Sequence, residues 1–276
     1  MSELVSTNWV YKNLNNRKLV ILDCSWHMPQ EKRDAKKEYD KMHIKNTYFF
    51  DIDKISDIKT NLPHMLPSQR KFEEKVRSFG INQSSLIVAY DVKGIFSSPR
   101  VWWMFKYFGH KNIFVLNGGL KKWLKEKKTV TNKKTYFKKG NFISRLSKEL
   151  LVTKNEVLES INRKNSLTLD ARHKDRFNGK VKELRKGLRS GHIPGSKNIF
   201  WGNLINRKGT LVSKKKINNL FNKFHIKDKK IITSCGSGIT ACILSVSLLH
   251  RLKIQTSVYD GSWTEWGQNK KLPISK

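Results

Sequence analysis

The chain has 276 residues, of which 38% are hydrophobic, and it carries a formal net charge of +34. That apolar content supports a packed core and excludes a disordered chain, and the longest apolar runs are too short to span a membrane. The first residues lack the basic start and the apolar stretch of a signal peptide, so we expect a cytoplasmic protein with no membrane partner.

Three cysteines, Cys24, Cys235 and Cys242, are too few and too scattered for a disulfide framework. No Cys/His grouping has the spacing of a zinc site, and we predict neither a metal nor a cofactor. The lysines are spread along most of the chain without an RNA-recognition signature. We therefore expect attraction to nucleic acid to be nonspecific and not the primary function.

Two stretches of the chain contain the same landmarks in the same order, which indicates duplication of one unit. Each has an apolar run ending in an acid, a second apolar run leading to a polar residue, and a tryptophan about thirty residues further on. In the first stretch the run that ends in an acid is residues 19–23, the polar residue is Asp91, and Trp123 follows 32 residues later. In the second stretch the run is residues 167–170, the polar residue is Cys235, and Trp266 follows 31 residues later.

Helical patterns alternate with these runs, at residues 72–79, 101–108, 215–224 and 241–249. This alternation predicts an α/β fold with two tandem domains, each a mainly parallel sheet flanked by helices. We place the first domain at residues 1–137, a basic linker at 138–149 and the second domain at 150–276.

Cys235 begins a glycine-rich turn between an apolar run and an apolar helix. A helix N-terminus lowers the pKa of a thiol, and Gly236 and Gly238 allow the backbone to curl so that its N–H groups surround a sulfur anion. The turn therefore suits a thiolate or a persulfide. A buried structural cysteine is the plain alternative, while neither Gly-x-Gly-x-x-Gly nor a Walker lysine supports nucleotide binding.

Eight segments of the chain match those of a known family. They are FFDID at 49–53, HMLP at 64–67, SPRVWWMF at 98–105, DAR at 170–172, RFNG at 176–179, RSGHIPGS at 189–196, CGSGITA at 235–241 and YDGSWTEW at 259–266. With these segments the chain resembles the two-domain rhodanese-like sulfurtransferases, and among them the 3-mercaptopyruvate type. The resemblance covers residues 9–266.

The resemblance implies that Cys235 takes sulfur from a small donor as a persulfide and passes it to a thiol acceptor such as thioredoxin, or to cyanide. It also implies that Asp91, in the place of the cysteine, makes the first domain catalytically silent. The donor carboxylate and keto oxygen are expected at Arg176 and Arg185, since the planar fork of arginine pairs with a carboxylate at two points. The loop residues expected to contact the donor are Gly236, Gly238, Ile239 and Thr240.

A proton relay of Ser237, His64 and Asp53 is also implied by the resemblance, because a carboxylate, an imidazole and a hydroxyl in series can orient a proton acceptor. Ser237 could instead serve only the turn, and His64 only an interface. We interpret Cys24 and Cys242 as packed thiols, and Trp102, Trp103, Trp263 and Trp266 as core residues.

Three alternatives differ from this hypothesis in testable ways. A thiosulfate sulfurtransferase is the nearest, although such enzymes carry basic residues in the loop after the cysteine and this loop is uncharged. A cysteine phosphatase would need an arginine closing a longer loop, and the residues after Thr240 include none nearby. A non-catalytic rhodanese-like module would bind partners or RNA and would not need Cys235.

Overall fold

Each half of the chain forms one five-stranded parallel sheet. The structure is a computed structural model, and it describes residues 2–276. The chain divides into two units. The first contains residues 2–57, Leu66–Ser147 and Asn206–Leu211, and the second contains Ile58–Met65, Lys148–Ile205 and Val212–Lys276.

The first unit has the strand order β1-β5-β4-β2-β3, with every neighbouring pair parallel. Its strands are β1 (Leu4–Val5), β2 (Leu19–Asp23), β3 (Thr47–Phe49), β4 (Leu86–Tyr90) and β5 (Ile113–Leu116). Its helices are α1 (Thr7–Asn13), α2 (Ala35–Lys41), α3 (Ile52–Ile55), α4 (Gln69–Ser78), α5 (Ser98–Tyr107) and α6 (Gly119–Lys125), with a 3-10 turn at Pro29–Glu31.

The second unit has the equivalent order, β6-β10-β9-β7-β8, again wholly parallel. Its strands are β6 (Leu151–Val152), β7 (Ser166–Asp170), β8 (Lys197–Asn198), β9 (Lys230–Ser234) and β10 (Thr256–Tyr259). Its helices are α7 (Lys154–Ser160), α8 (Lys174–Phe177), α9 (Lys214–Phe221), α10 (Ala241–Leu252) and α11 (Ser262–Gln268). Its 3-10 turns are Lys148–Leu150, Trp201–Leu204, Asn222–Phe224 and Ile226–Asp228.

The predicted duplication and α/β fold are confirmed, because the two sheets have the same order and direction of strands. β4 ends immediately before Asp91, and β9 ends immediately before Cys235. These two residues therefore occupy equivalent places at the carboxyl ends of equivalent strands, where ligands bind in parallel α/β sheets.

The four predicted helices are present as α4, α5, α9 and α10. The two surface helices α4 and α9 begin at serine caps, since Ser68 accepts a hydrogen bond from the Lys71 N–H and Ser213 accepts one from the Lys216 N–H. α10 is buried along residues 241–248, so an uninterrupted apolar sequence forms this helix behind the Cys235 turn.

The four tryptophans predicted as core residues and two cysteines are buried, as predicted. Trp102 and Trp103 of the first unit are 3% and 1% exposed, and Trp263 and Trp266 of the second are at most 1% exposed. Cys24 and Cys242 are completely buried. Within residues 2–276, no helix combines the length and the apolar character needed to cross a membrane.

The basic stretch after α6 packs onto the first unit as far as Ser147. Phe142, within this stretch, is completely buried, and its ring meets that of Phe72 edge-on at 6.1 Å. Arg77 fixes the same point by donating from Nε to the Phe142 carbonyl at 2.7 Å. A buried aromatic in an aperiodic basic stretch therefore helps to anchor a segment whose composition is that of a linker.

Candidate active site

The turn that carries Cys235 is held by the start of α11. The Cys235 N–H donates to Ser262 Oγ at 3.1 Å, and the Cys235 carbonyl accepts from the Trp263 N–H at 3.0 Å. Thr264 holds the next peptide, donating to the Gly236 carbonyl from its N–H at 2.9 Å and from Oγ1 at 2.6 Å. The conformation of the turn is therefore fixed by a neighbouring helix and does not depend on Cys235 itself.

The two glycines of the turn differ in their surroundings. Gly238 has a φ of +78°, in the left-handed region that favours glycine. Gly236 lies beside Arg176, since a Cβ built at this position would be 3.5 Å from the Arg176 Nη2 atom, an ordinary van der Waals distance that a side chain could adopt. The Arg176 guanidinium therefore lies close to the residue that follows Cys235.

Arg176 lies in the short helix α8, and its guanidinium is oriented by Glu183. Arg176 donates to Glu183 Oε2 from Nε at 3.2 Å and also from Nη2. The Glu183 side chain is 1% exposed, whereas that of Arg176 is 21% exposed. A guanidinium has five N–H donors, so three are left beyond the two bonds to Glu183 for an anionic ligand at the turn.

Arg172 continues this ionic network into the protein. It donates to Glu183 Oε1 at 2.7 Å, to both carboxylate oxygens of Asp170, and to the Gly191 carbonyl at 2.8 Å. Its guanidinium also lies over the Trp263 ring, 4.3 Å from the centroid. Burial acts to lower the pKa of Arg172, but the carboxylates of Asp170 and Glu183 outweigh it and raise that pKa above its ordinary value. The network is therefore a fixed, fully charged support for Arg176.

Ser237 and His64 are brought together in the second unit. His64 Nδ1 lies 3.0 Å from Ser237 Oγ and 3.3 Å from the Ser237 carbonyl oxygen. Both residues are buried, and His64 has a φ of +64°, an uncommon conformation for a residue other than glycine. The backbone is thus held where the imidazole can exchange a proton with a hydroxyl at the second position after Cys235.

The remaining predicted residues are placed as follows. Ile239 is buried, and Thr240 is the N-cap residue of α10. Arg185 is half-buried, two residues beyond Glu183. Asp53 lies in α3 of the first unit, where Oδ2 accepts a hydrogen bond from Trp26 Nε1 at 3.1 Å. The roles assigned to these residues from the sequence stay predictions.

In the first unit, the equivalent turn contains its own anion. Asp91 Oδ2 accepts hydrogen bonds from the N–H groups of Phe96, Ser97 and Ser98 at 2.8–3.1 Å, and from Ser98 Oγ at 2.7 Å. Asp91 is 1% exposed. Amides at the start of α5 therefore converge on the first side chain of the turn, the arrangement expected for anion stabilisation at a helix N-terminus.

A model of the rhodanese-like domain matches residues 6–126 and 153–269. The chain belongs to the rhodanese family of sulfurtransferases. The resemblance stated from the sequence is thereby confirmed, and the two matched ranges correspond to the two parallel sheets of the fold.

Relatives of this rhodanese chain extend over nearly its whole length. It is 41% identical to the mitochondrial thiosulfate/3-mercaptopyruvate sulfurtransferase 1 of Arabidopsis thaliana, over 98% of this chain and 77% of that protein. It is 35% identical to the 3-mercaptopyruvate sulfurtransferase of Escherichia coli K12, over 98% and 96%. The crystal structure of SseA, a 3-mercaptopyruvate sulfotransferase from Escherichia coli, superposes with a TM-score of 0.86 and 34% identity, covering 95% of this chain and 99% of that one.

Sequence reasoning did not select three residues that shape the rhodanese turn: Glu183, Ser262 and Thr264. A signal for Glu183 is present, since it is the only acidic residue between Arg176 and Arg189. Ser262 and Thr264 lie in the matched segment YDGSWTEW, whose role becomes visible only once α11 is seen against the turn. Among residues 2–276, no three His, Cys, Asp or Glu side chains form a group that could hold a metal ion.

Proposed function

We propose that this member of the rhodanese family transfers sulfur from 3-mercaptopyruvate, through a persulfide on Cys235, to a thiol acceptor. The observation that carries the proposal is the position of the Arg176 guanidinium against Gly236, one residue from Cys235. A small donor that pairs its carboxylate with Arg176 has its sulfur within reach of Cys235. Relatives named for this activity, at 35–41% identity over nearly the whole chain, support the same donor.

The first step is attack of the Cys235 thiolate on the sulfur of the donor. A sulfur–sulfur bond forms, the carbon–sulfur bond of the donor breaks, and its electron pair leaves as the enolate of pyruvate. The new terminal S–H loses its proton and the enolate gains one, so that pyruvate and the Cys235 persulfide anion result. Amides of residues 236–240 stabilise that anion in the way that amides at the start of α5 hold the Asp91 carboxylate.

Ser237 and His64 handle the proton that moves in this step. Ser237 is two residues from Cys235, and its hydroxyl lies 3.0 Å from His64 Nδ1, within the range for direct proton exchange. The third place in this relay, which the resemblance assigns to Asp53, stays a prediction. In the second half-reaction an acceptor thiolate, from a small thiol or from a protein such as thioredoxin, attacks the outer sulfur and releases the Cys235 thiolate.

Thiosulfate is the second candidate donor, since one relative is named for both donors. The turn from Gly236 to Thr240 has no charged side chain, and the cation nearest to its first peptide is Arg176, whose fork fits a carboxylate. This arrangement favours 3-mercaptopyruvate over a sulfonate-ended donor.

Intact-protein mass spectrometry after brief exposure to each donor tests the proposal. We expect a gain of one sulfur atom with 3-mercaptopyruvate, no gain in Cys235→Ser, and an unchanged gain in Cys242→Ser, the matched buried thiol. A gain with thiosulfate alone would assign the other donor. No gain with either donor would indicate a non-catalytic rhodanese module.

A further inference from the structure

The first unit presents a surface that combines lysines with an exposed aromatic ring. We define the basic segment as residues 131–139, which contain Lys133, Lys134, Lys138 and Lys139. No acidic residue occurs between Lys127 and Lys148. The four lysines of the basic segment are all exposed, so their ammonium groups face solvent with no acid close to them along the chain.

The basic segment is fixed to the fold at both ends. His43 and Thr131 exchange two backbone hydrogen bonds of 2.8 Å, and His43 Nε2 lies 3.1 Å from the Lys133 carbonyl oxygen. Further on, the Phe137 N–H donates to Tyr48 Oη at 2.8 Å, and the two rings lie 5.7 Å apart. The lysines and the aromatic between these anchors are therefore displayed on a defined backbone.

Tyr136 projects from this backbone with 82% of its surface exposed, and Phe137 beside it is 37% exposed. A pocket of about 420 Å³ is lined by Lys45 and Asn46 and by part of the chain between residues 129 and 137, including Lys133, Lys134 and Tyr136. An aromatic ring left in water loses the stabilisation that burial would bring, so its exposure among cations indicates a ligand that is both planar and anionic.

We propose that the basic segment and Lys45 form a binding surface for single-stranded RNA. Lysines neutralise the phosphates of the strand, and an unstacked base stacks on the Tyr136 ring. A duplex keeps its bases stacked on one another and offers Tyr136 only phosphates, so it fits the lysines but not the ring. This proposal goes beyond the nonspecific attraction expected from the sequence, and it does not depend on sulfur transfer.

Fluorescence anisotropy with the full-length protein and a labelled RNA of about 12 nucleotides, within the usual site size, tests the proposal. The affinity of the single strand is compared with that of the same sequence as a duplex. We expect the single strand to bind more tightly, because only its bases are free to stack on Tyr136. Tyr136→Ala should weaken it at least about fivefold, and Tyr136→Phe, which keeps the ring, should stay within about twofold of the parent protein.

The lysines are tested by replacing Lys133, Lys134, Lys138 and Lys139 with Ala and measuring affinity between about 50 and 200 mM salt. The slope of log affinity against log salt should fall by about 0.7 for each phosphate that the variant no longer neutralises. The matched control replaces the exposed lysines 214–216 at the start of α9, and it should change the slope less.

Three results would overturn the proposal: unchanged RNA binding by Tyr136→Ala, duplex binding as tight as that of the single strand, or an equal fall of the salt slope in the control with lysines 214–216 replaced. Sulfur transfer from 3-mercaptopyruvate, measured on every variant, should match the parent protein and shows that each variant is folded. A loss of RNA binding is thereby separated from a failure of the proposed function.

Discussion

Glu183 bridges Arg172 and Arg176, accepting hydrogen bonds from one guanidinium at Oε1 and from the other at Oε2. Its side chain and that of Arg172 are each 1% exposed, whereas Arg176 reaches towards solvent beside Gly236. A buried carboxylate between two guanidiniums fixes both of them. The orientation of Arg176, the arginine that we propose binds the donor, is therefore set by a residue outside the proposed donor site.

Replacing Glu183 with Gln keeps the shape of the side chain and removes its charge. We expect the KM for 3-mercaptopyruvate to rise about tenfold, because a hydrogen bond to a charged group is worth about 1.5–3 kcal/mol. The kcat should change much less, since Cys235 and its turn are untouched. Steady-state kinetics with a Tm measurement for each variant checks this.

Glu159→Gln is the matched control for that substitution. Glu159 pairs with Arg163 at the surface, where both side chains are 60% exposed, and such pairs contribute about 0–1 kcal/mol. Its KM and Tm should equal those of the parent protein. A fall in kcat for Glu183→Gln at constant KM would contradict the positioning role.

Substitutions of Arg176 should separate the contribution of its charge to kcat/KM from that of its planar shape. Arg176→Lys keeps a cation but loses the planar fork, and we expect its kcat/KM for 3-mercaptopyruvate to lie between those of the parent protein and Arg176→Ala. The alanine variant should lose about 10- to 100-fold, the equivalent of one charge-assisted pair. Equal activity of all three proteins would remove Arg176 from the donor site.

Asp91 stabilises the turn of the first unit. Asp91→Ala leaves the N–H groups of Phe96, Ser97 and Ser98 without their carboxylate, at about 1–3 kcal/mol for each unsatisfied group. We expect faster amide hydrogen exchange at residues 96–98, and a smaller effect in Asp91→Asn, whose side-chain oxygen still accepts. Persulfide formation on Cys235 should be retained in the folded fraction, and unchanged exchange in the alanine variant would refute this role.

Stability should depend on pH through Asp23, at the end of β2. Burial, with a smaller contribution from the Asp91 carboxylate, raises the pKa of Asp23 from 3.8 to about 6, although hydrogen bonds with Ser25 and Tyr90 oppose the rise. A carboxyl that holds its proton more tightly when folded contributes stability below pH 3.8, and this is lost as the pH rises through 6. The loss is on the order of 3 kcal/mol.

Asp23→Asn cannot titrate, so its Tm should exceed that of the parent protein increasingly as the pH rises from about 4 to about 7. Asp34→Asn is the control of opposite sign. The hydrogen bond from the Lys37 N–H lowers the pKa of Asp34 below 3.8, so the parent protein should gain stability over that variant only as the pH rises towards about 4, and the Tm difference should stay nearly constant from about pH 4 to about pH 7. A Tm difference for Asp23→Asn that does not vary with pH would contradict the raised pKa.

The strand ends were predictable because a strand buried in a parallel sheet is a continuous apolar run, and the polar residue that follows it lies at the ligand-binding edge. This reasoning located Asp91 and Cys235 and matched the two units. Arg176 was indicated by resemblance alone, since a four-residue helix has too few turns to produce a periodic signal.

The contacts that Glu183 and the basic segment make were not predictable for a different reason. Glu183 lies among lysines in an irregular loop, and whether it points inward depends on Arg172, which follows a strand eleven residues earlier. The basic segment is polar and aperiodic, and its attachment depends on His43 and Tyr48, about ninety residues away along the chain. Such long-range pairings leave no local pattern in the sequence.

The Asp91 carboxylate occupies the amides of the turn in the first unit permanently. In the mechanism that we propose, the equivalent turn of the second unit holds the Cys235 thiolate at rest and the longer persulfide anion after reaction with the donor. Because this change is covalent and confined to Cys235, addition of the donor should alter amide exchange around the turn of the second unit and leave that of the first unchanged. The first unit, which has no thiol at this position, is therefore an internal reference within the same chain.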